Sequence, residues 1–162
     1  MKRLLLMRHG HSPVSFDVDD HERPLSIKGR EDVHHMAALL EEMQLIPELL
    51  LVSSAIRTQQ SAEELQRCWT NSTITQQTHH TLYLSGLLSI QRSVESLSPS
   101  IETILLLGHN PGWSQSIAHL SGVDRLLNPA NIAILEHDAL TWTSAIQSTN
   151  WRFVSLLTRN RL

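Results

Sequence analysis

Three stretches of the chain are apolar without interruption: Leu4-Leu5-Leu6-Met7, Leu49-Leu50-Leu51-Val52 and Ile104-Leu105-Leu106-Leu107. Short continuous runs of this kind read as strands covered on both faces, since a half-exposed strand alternates apolar with polar residues. Between them the spacing changes. Val33, Met36, Ala37, Leu40 and Met43 recur at helical intervals and predict an amphipathic helix over 28–44, closed by Pro47. Ala62, Leu65 and Trp69 predict a second helix over 56–69, with Ser53-Ser54 placed to cap it. Residues 71–78 are polar and β-branched, as in a short edge strand, and 84–97 returns to the helical period before Pro99. A further helix carries Ile117, Ala118 and Leu120 and stops near Gly122. The tail differs, because 132–135 and 151–157 read as strands with no helix between them. This rhythm predicts one three-layer α/β domain over 1–162, a mostly parallel sheet with helices on both faces.

Composition narrows the function classes. The 162 residues, 41% apolar and 18% charged, suffice for one domain with a sizeable core. Thirteen Lys and Arg against sixteen Asp and Glu leave a net charge of -3, which argues against nucleic acid or a membrane surface as partner. Cys68 is the single cysteine, so neither an intrachain disulfide nor a thiolate metal cluster can form. No apolar run approaches the roughly 20 residues of a membrane span. Arg8-His9 also interrupts the first run too early for a signal-peptide core. A soluble cytoplasmic protein, monomeric by size, is the expectation.

Each of the three strands delivers basic side chains just past its carboxyl end. The first leads to Arg8 and His9, the second through Ser53-Ser54 to Arg57, and the third through Gly108 to His109. In open α/β sheets the ligand crevice lies at that end of the strands. Two guanidinium groups and two imidazoles can therefore meet although far apart in sequence, and such a pocket suits a dianion. Helix starts after Ser54 and Pro111 would add backbone N–H donors. Solvated charge at one strand end is ordinary in any α/β protein; the same coincidence three times is not. No Walker loop or dinucleotide fingerprint occurs, so no nucleotide cofactor is indicated.

Arg8-His9-Gly10 resembles the Arg-His-Gly motif that the histidine phosphatase superfamily, the phosphoglycerate-mutase-like proteins, carries after its first strand. The likeness continues through Arg23-Pro24-Leu25-Ser26-Ile27-Lys28-Gly29, which is similar to the segment entering that family's first helix. It extends to the stretch from Val52-Ser53-Ser54-Ala55-Ile56-Arg57 to Glu63, and to Leu107-Gly108-His109-Asn110-Pro111-Gly112. The order and spacing hold from position 3 to about 138. The short chain resembles the small SixA-like branch, which acts on phosphohistidine and lacks the insertions of larger members. The resemblance implies a phosphoglycerate-mutase-like αβα fold and a phosphohistidine intermediate on His9. It also implies phosphoryl-oxygen binding by Arg8 and Arg57, stabilisation of the transferring group by His109, and a backbone N–H from Asn110.

Chemistry agrees with those roles. A neutral imidazole attacks phosphorus in line while positive groups hold the equatorial oxygens. With so many protein cations around the phosphoryl group, neither metal nor cofactor is required. One departure from the family is informative. Many members place a Glu or Asp after the second helix and the following short strand, as proton donor to the leaving oxygen. Residues 78–86 hold no carboxylate, and Glu95 and Glu102 come later. An alkoxide needs that proton, whereas an imidazole protonated on its far nitrogen departs neutral, its conjugate acid having a pKa of about 6.5. The expectation is a metal-independent phosphohistidine phosphatase acting on a phosphohistidine-bearing protein or a small phosphorylated compound. A broad small-molecule phosphomonoesterase and a non-catalytic phosphate-binding module are the rivals.

The remaining candidates have plainer readings. His34-His35 and His79-His80 lack metal-ligand spacing and read as surface residues. His11, two residues past His9, either contacts phosphate or substrate or faces solvent. Asp17, Asp19 and Asp20 read as a solvated turn in a loop able to flank the pocket, and Trp113 as helix packing.

Overall fold

The computed structural model describes residues 1–72 and 74–159. In chain order the elements are β1 (Lys2–Arg8), α1 (Ile27–Glu42), β2 (Leu49–Ser53), α2 (Ile56–Cys68), β3 (Thr75–His79), α3 (Leu87–Val94), β4 (Thr103–Gly108), α4 (Gly112–Ser121), β5 (Ile132–His137), α5 (Trp142–Gln147) and β6 (Arg152–Leu157). Single 3-10 turns occur at Asp20–Glu22 and His80–Leu82. The strands form one sheet in the order β3-β2-β4-β1-β5-β6. β5 runs against both its neighbours, while the other pairs are parallel.

The three apolar runs are the adjacent central strands β2, β4 and β1, and their side chains divide between two layers because the strand period is two. Leu4, Leu6, Leu49, Leu51, Ile104 and Leu106 pack under Ile90, Trp113, Ile117, Trp142 and Ile146 of α3, α4 and α5. Leu5, Met7, Leu50, Val52, Leu105 and Leu107 face Val33, Met36, Leu40 and Leu65 of α1 and α2. The core is thus a sheet buried on both faces, as expected for an αβα sandwich.

Four local features differ from the sequence reading. A short helix, α5, does occur between β5 and β6. Thr141 caps it by accepting from the Ser144 N–H at 3.2 Å, and Trp142, Ala145 and Ile146 face the core. Six residues are too few for a helical period to show in a sequence window. α3 is shorter than 84–97, because Leu84 takes φ 46° and Gly86 stands outside the helix. Neither Ser53 nor Ser54 caps α2, whose N-cap is Ala55; Ser53 Oγ meets His109, and Ser54 Oγ meets His21 and His80. The edge strand is Thr75–His79 rather than 71–78, a stretch in which Thr73 lies outside the described residues.

Candidate active site

β1, β2 and β4 are parallel neighbours, so the residues that follow them emerge side by side at the carboxyl ends of the strands. His9 follows β1 and donates its backbone N–H to Gly108 O of β4 at 3.2 Å. The chain then turns sharply beneath α1. A Cβ on Gly10 would lie 2.8 Å from Gly29 O, and one on Gly29 would lie 2.3 Å from His11 O. The two glycines let the helix start cross directly over the Arg8-His9-Gly10 segment. Ser26 caps α1 and also binds His11, its Oγ lying 2.7 Å from His11 Nδ1.

These segments surround a cavity of about 290 Å³ lined by Arg8, His9, His11, Asp20, Arg57, His109 and Asn110, among others. His9, Arg57 and His109 are 6%, 2% and 2% exposed. His9 Nδ1 lies 2.7 Å from Gly10 O, which fixes the ring proton there and leaves Nε2 as the ring's acceptor. Arg57 Nε donates to that Nε2 at 3.2 Å, and its Nη2 reaches His109 Nδ1 at 3.3 Å. With Nδ1 accepting, the neutral His109 carries its proton on Nε2, 2.7 Å from Ser53 Oγ.

The electrostatics follow from packing cations together out of water. Burial first, and then the charges of Arg57, Arg8 and Arg23, push His9 down to about 3. Burial, followed by His9 and Arg57, brings His109 to about 3 as well. Both rings are therefore neutral at physiological pH. Arg8 donates through Nη1 to Leu127 O at 3.1 Å, while its buried Nε has no partner. An anion in the cavity would offset the crowded guanidinium charge.

Comparison with known proteins bears on the fold that carries these residues. No protein-family model matches the chain. A protein of Arabidopsis thaliana, described as uncharacterised and chloroplastic, is 32% identical over 153 residues, covering 89% of this chain and 70% of its own length. The structure of the protein histidine phosphatase SixA complexed with tungstate superimposes with a TM-score of 0.82 at 22% identity, over 97% of both chains. The chain has the histidine phosphatase fold of SixA. It belongs to one family with the Arabidopsis protein. The SixA protein of Agrobacterium tumefaciens gives a TM-score of 0.81 at 19% identity over 97% of both chains. A mycobacterial glucosyl-3-phosphoglycerate phosphatase gives 0.65 at 16%, over 95% of this chain and 97% of its own.

Within this SixA-like fold, Arg8, His9, Arg57 and His109 converge as the strand ends predict. His11 lines the same cavity. The Asn110 carboxamide is committed elsewhere: Nδ2 donates to Leu127 O at 2.6 Å, and Oδ1 accepts from Ser114 of α4, whose first turn it caps. Trp113 is buried, its ring against Gly108, as helix packing requires. Among the described residues no cluster of His, Cys, Asp or Glu is arranged to hold a metal, and no helix is long and apolar enough to cross a membrane.

The solvated-turn reading fails for Asp20. Its Oδ2 accepts from Arg57 Nη2 at 3.0 Å and from the Tyr83 hydroxyl, and its Oδ1 accepts from Arg23 Nη2 at 3.0 Å. Burial opposes ionisation, but the hydrogen bonds from Tyr83, Arg57 and Arg23 hold the carboxyl well below its usual range. The cavity thus contains a carboxylate, supplied by the loop before α1 rather than by 78–86. His80 is exposed yet not free, its Nδ1 lying 2.9 Å from Ser54 Oγ, which also meets His21 Nε2 at 2.8 Å. Arg23 stands in the quoted family segment, where it signals a helix entry; nothing in the spacing of Asp20, His21 or Tyr83 signals a site.

Proposed function

We propose that the protein is a phosphatase that transfers a phosphoryl group to His9 Nε2 and then to water, with phosphohistidine as its preferred substrate. The observation that carries this reading is the orientation of His9. Gly10 O fixes the proton on Nδ1, burial keeps the ring neutral, and the Nε2 lone pair points into a cavity bordered by guanidinium groups. In the first step the Nε2–P bond forms as the bond from phosphorus to the leaving atom breaks, the electron pair going to that atom. In the second, water attacks phosphorus, His9 recovers its lone pair, and inorganic phosphate departs with one proton released.

Arg8 and Arg57 hold the phosphoryl oxygens, and the dianion draws a proton from solvent onto His109 Nδ1, turning that ring into a further donor until phosphate departs and the proton returns to water. The positive charge that a metal would otherwise supply comes from these side chains. Asp20, ionised and bound by two arginines, is a poor proton donor, which favours leaving groups that depart without one. An imidazole is such a group. Val14 and Leu84, 78% and 60% exposed, line the cavity. An apolar rim suits the ring of a protein-borne phosphohistidine better than a sugar.

Brief incubation with phosphorylated substrate, quenched without acid, tests the reading. Phosphate should be trapped on His9, and His9→Ala should lose both label and turnover while EDTA changes neither. Label persisting in His9→Ala would place the nucleophile elsewhere.

A further inference from the structure

Tyr83 follows the 3-10 turn His80–Leu82, whose Leu82 is buried in the core, and its backbone N–H donates to His80 O at 2.9 Å. The side chain is thereby set at the rim of the site. Its hydroxyl donates to Asp20 Oδ2, the oxygen that also accepts from Arg57 Nη2. The same Nη2 reaches His109 Nδ1, and the Tyr83 ring stacks on the His109 imidazole with centroids 5.5 Å apart and planes 29° apart. Tyr83, Asp20, Arg57 and His109 close a circuit in which each touches the next. His21 stacks on the same ring at 4.8 Å and 13°.

We propose that Tyr83 is a positioning residue of the phosphoryl site: its hydroxyl seats Asp20 on Arg57, and its ring holds the imidazole of His109. The proposal rests on the phosphatase reading above and adds to it the means by which two groups that must face one phosphoryl oxygen are aimed before it arrives. Arg57 has a long side chain whose freedom must be removed for both of its nitrogens to serve. Asp20 bonds both that guanidinium and Arg23, offsetting their mutual repulsion, and Tyr83 is its neutral third partner. His109 has one nitrogen fixed by Ser53, and the stacked ring covers its face, which accounts for part of its burial. Burial and Asp20 push the Tyr83 hydroxyl above its ordinary value, so it remains a donor across the working pH range.

The test compares the native protein with Tyr83→Phe, Tyr83→Leu, Asp20→Asn and the Asp20→Asn/Tyr83→Phe double variant. Three quantities are measured: the Kd of inorganic phosphate by calorimetry, kcat and KM on phosphoramidate, and the His109 titration by imidazole NMR. Tyr83→Phe should weaken phosphate binding about tenfold and raise KM in step, with kcat affected less. In the Asp20→Asn background it should do nothing more, because the hydroxyl acts through Asp20. Tyr83→Leu should also move His109 toward the ordinary imidazole value of about 6.5, whereas Tyr83→Phe should not. Native phosphate binding in Tyr83→Phe, losses that multiply in the double variant, or an unmoved His109 in Tyr83→Leu would each overturn the proposal. If Tyr83→Leu does not fold, the Phe variant and the double variant still decide. A native protein that binds phosphate without turning over phosphoramidate would refute the phosphatase reading, and the phosphate measurements would still judge Tyr83.

Discussion

Arg57 Nε lies 3.2 Å from His9 Nε2, so a guanidinium stands in the direction of the imidazole lone pair. A phosphoryl group entering the cavity replaces one favourable contact by two, His9 meeting phosphorus and Arg57 meeting a phosphoryl oxygen. On the proposed mechanism, His9 and Arg57 are aligned by their own contact before substrate binds, which reduces the reorganisation needed for reaction.

Truncating either arginine removes charge-assisted bonds worth about 1.5–3 kcal/mol. Arg57→Ala and Arg8→Ala should each lower kcat/KM on phosphoramidate by roughly tenfold to a hundredfold. Arg57→Lys should recover only part of that, since an ammonium cannot meet His9 through one fixed nitrogen and Asp20 and His109 through another, as the guanidinium does with Nε and Nη2. Native steady-state rates in Arg57→Lys would contradict the assigned geometry.

Rates should depend steeply on the leaving group, because Asp20 is held ionised by Tyr83, Arg57 and Arg23. Phosphoramidates should exceed aryl phosphates, which leave near a phenol's pKa of about 10, and these should exceed alkyl phosphates. Asp20→Asn and His11→Ala should leave the slope of that series unchanged. A native series that is flat and becomes steep in either variant would identify that residue as the acid.

Stability should fall on acidification. His9 and His109 have folded values of about 3, below the unfolded value of about 6.5, so the unfolded chain binds more protons throughout that interval. Their contribution is intact above about pH 6.5 and is lost as pH falls toward 3. One such histidine acting alone removes about 3 kcal/mol between pH 7 and pH 4, and the two are coupled, so their joint effect is not a simple sum. Denaturation followed from pH 7 to 4 should show this slope, and His9→Asn should flatten it. An unchanged slope in the variant would assign the acid sensitivity to other groups.

Gly29→Ala should act on the site from outside it. The added methyl would lie 2.3 Å from His11 O and 2.9 Å from His11 N, both backbone atoms with little room to move. A loss of about 1–3 kcal/mol is expected from such overpacking, with lower turnover because His11 and Gly10 must shift and carry His9 with them. Thermal melting and kcat measured together check it. A lower Tm with native kcat would show the helix yielding instead of the loop.

The central strands and the positive residues beyond them are legible in the sequence because continuous apolar runs have one stable placement, covered on both faces. Parallel pairing then brings their carboxyl ends together whatever the loops do. Arg8, His9, Arg57 and His109 are found by that logic. α5 is not, since Trp142, Ala145 and Ile146 give less than two turns of helical pattern, and the helix exists because the core accepts those three side chains. Nor does the sequence separate Asp20 from Asp17 and Asp19, three aspartates in one polar loop.

What the sequence determined by itself is the sheet, its two helical layers and the convergence of four basic side chains, all consequences of apolar periodicity and strand polarity. What only the tertiary structure decided is how those side chains are held: Asp20 on Arg57, Tyr83 on Asp20 and His109, and Ser53 on His109. Periodicity reports which residues are withdrawn from water. A hydrogen bond depends on distance and direction between atoms from separate segments, and those are fixed only when the layers pack.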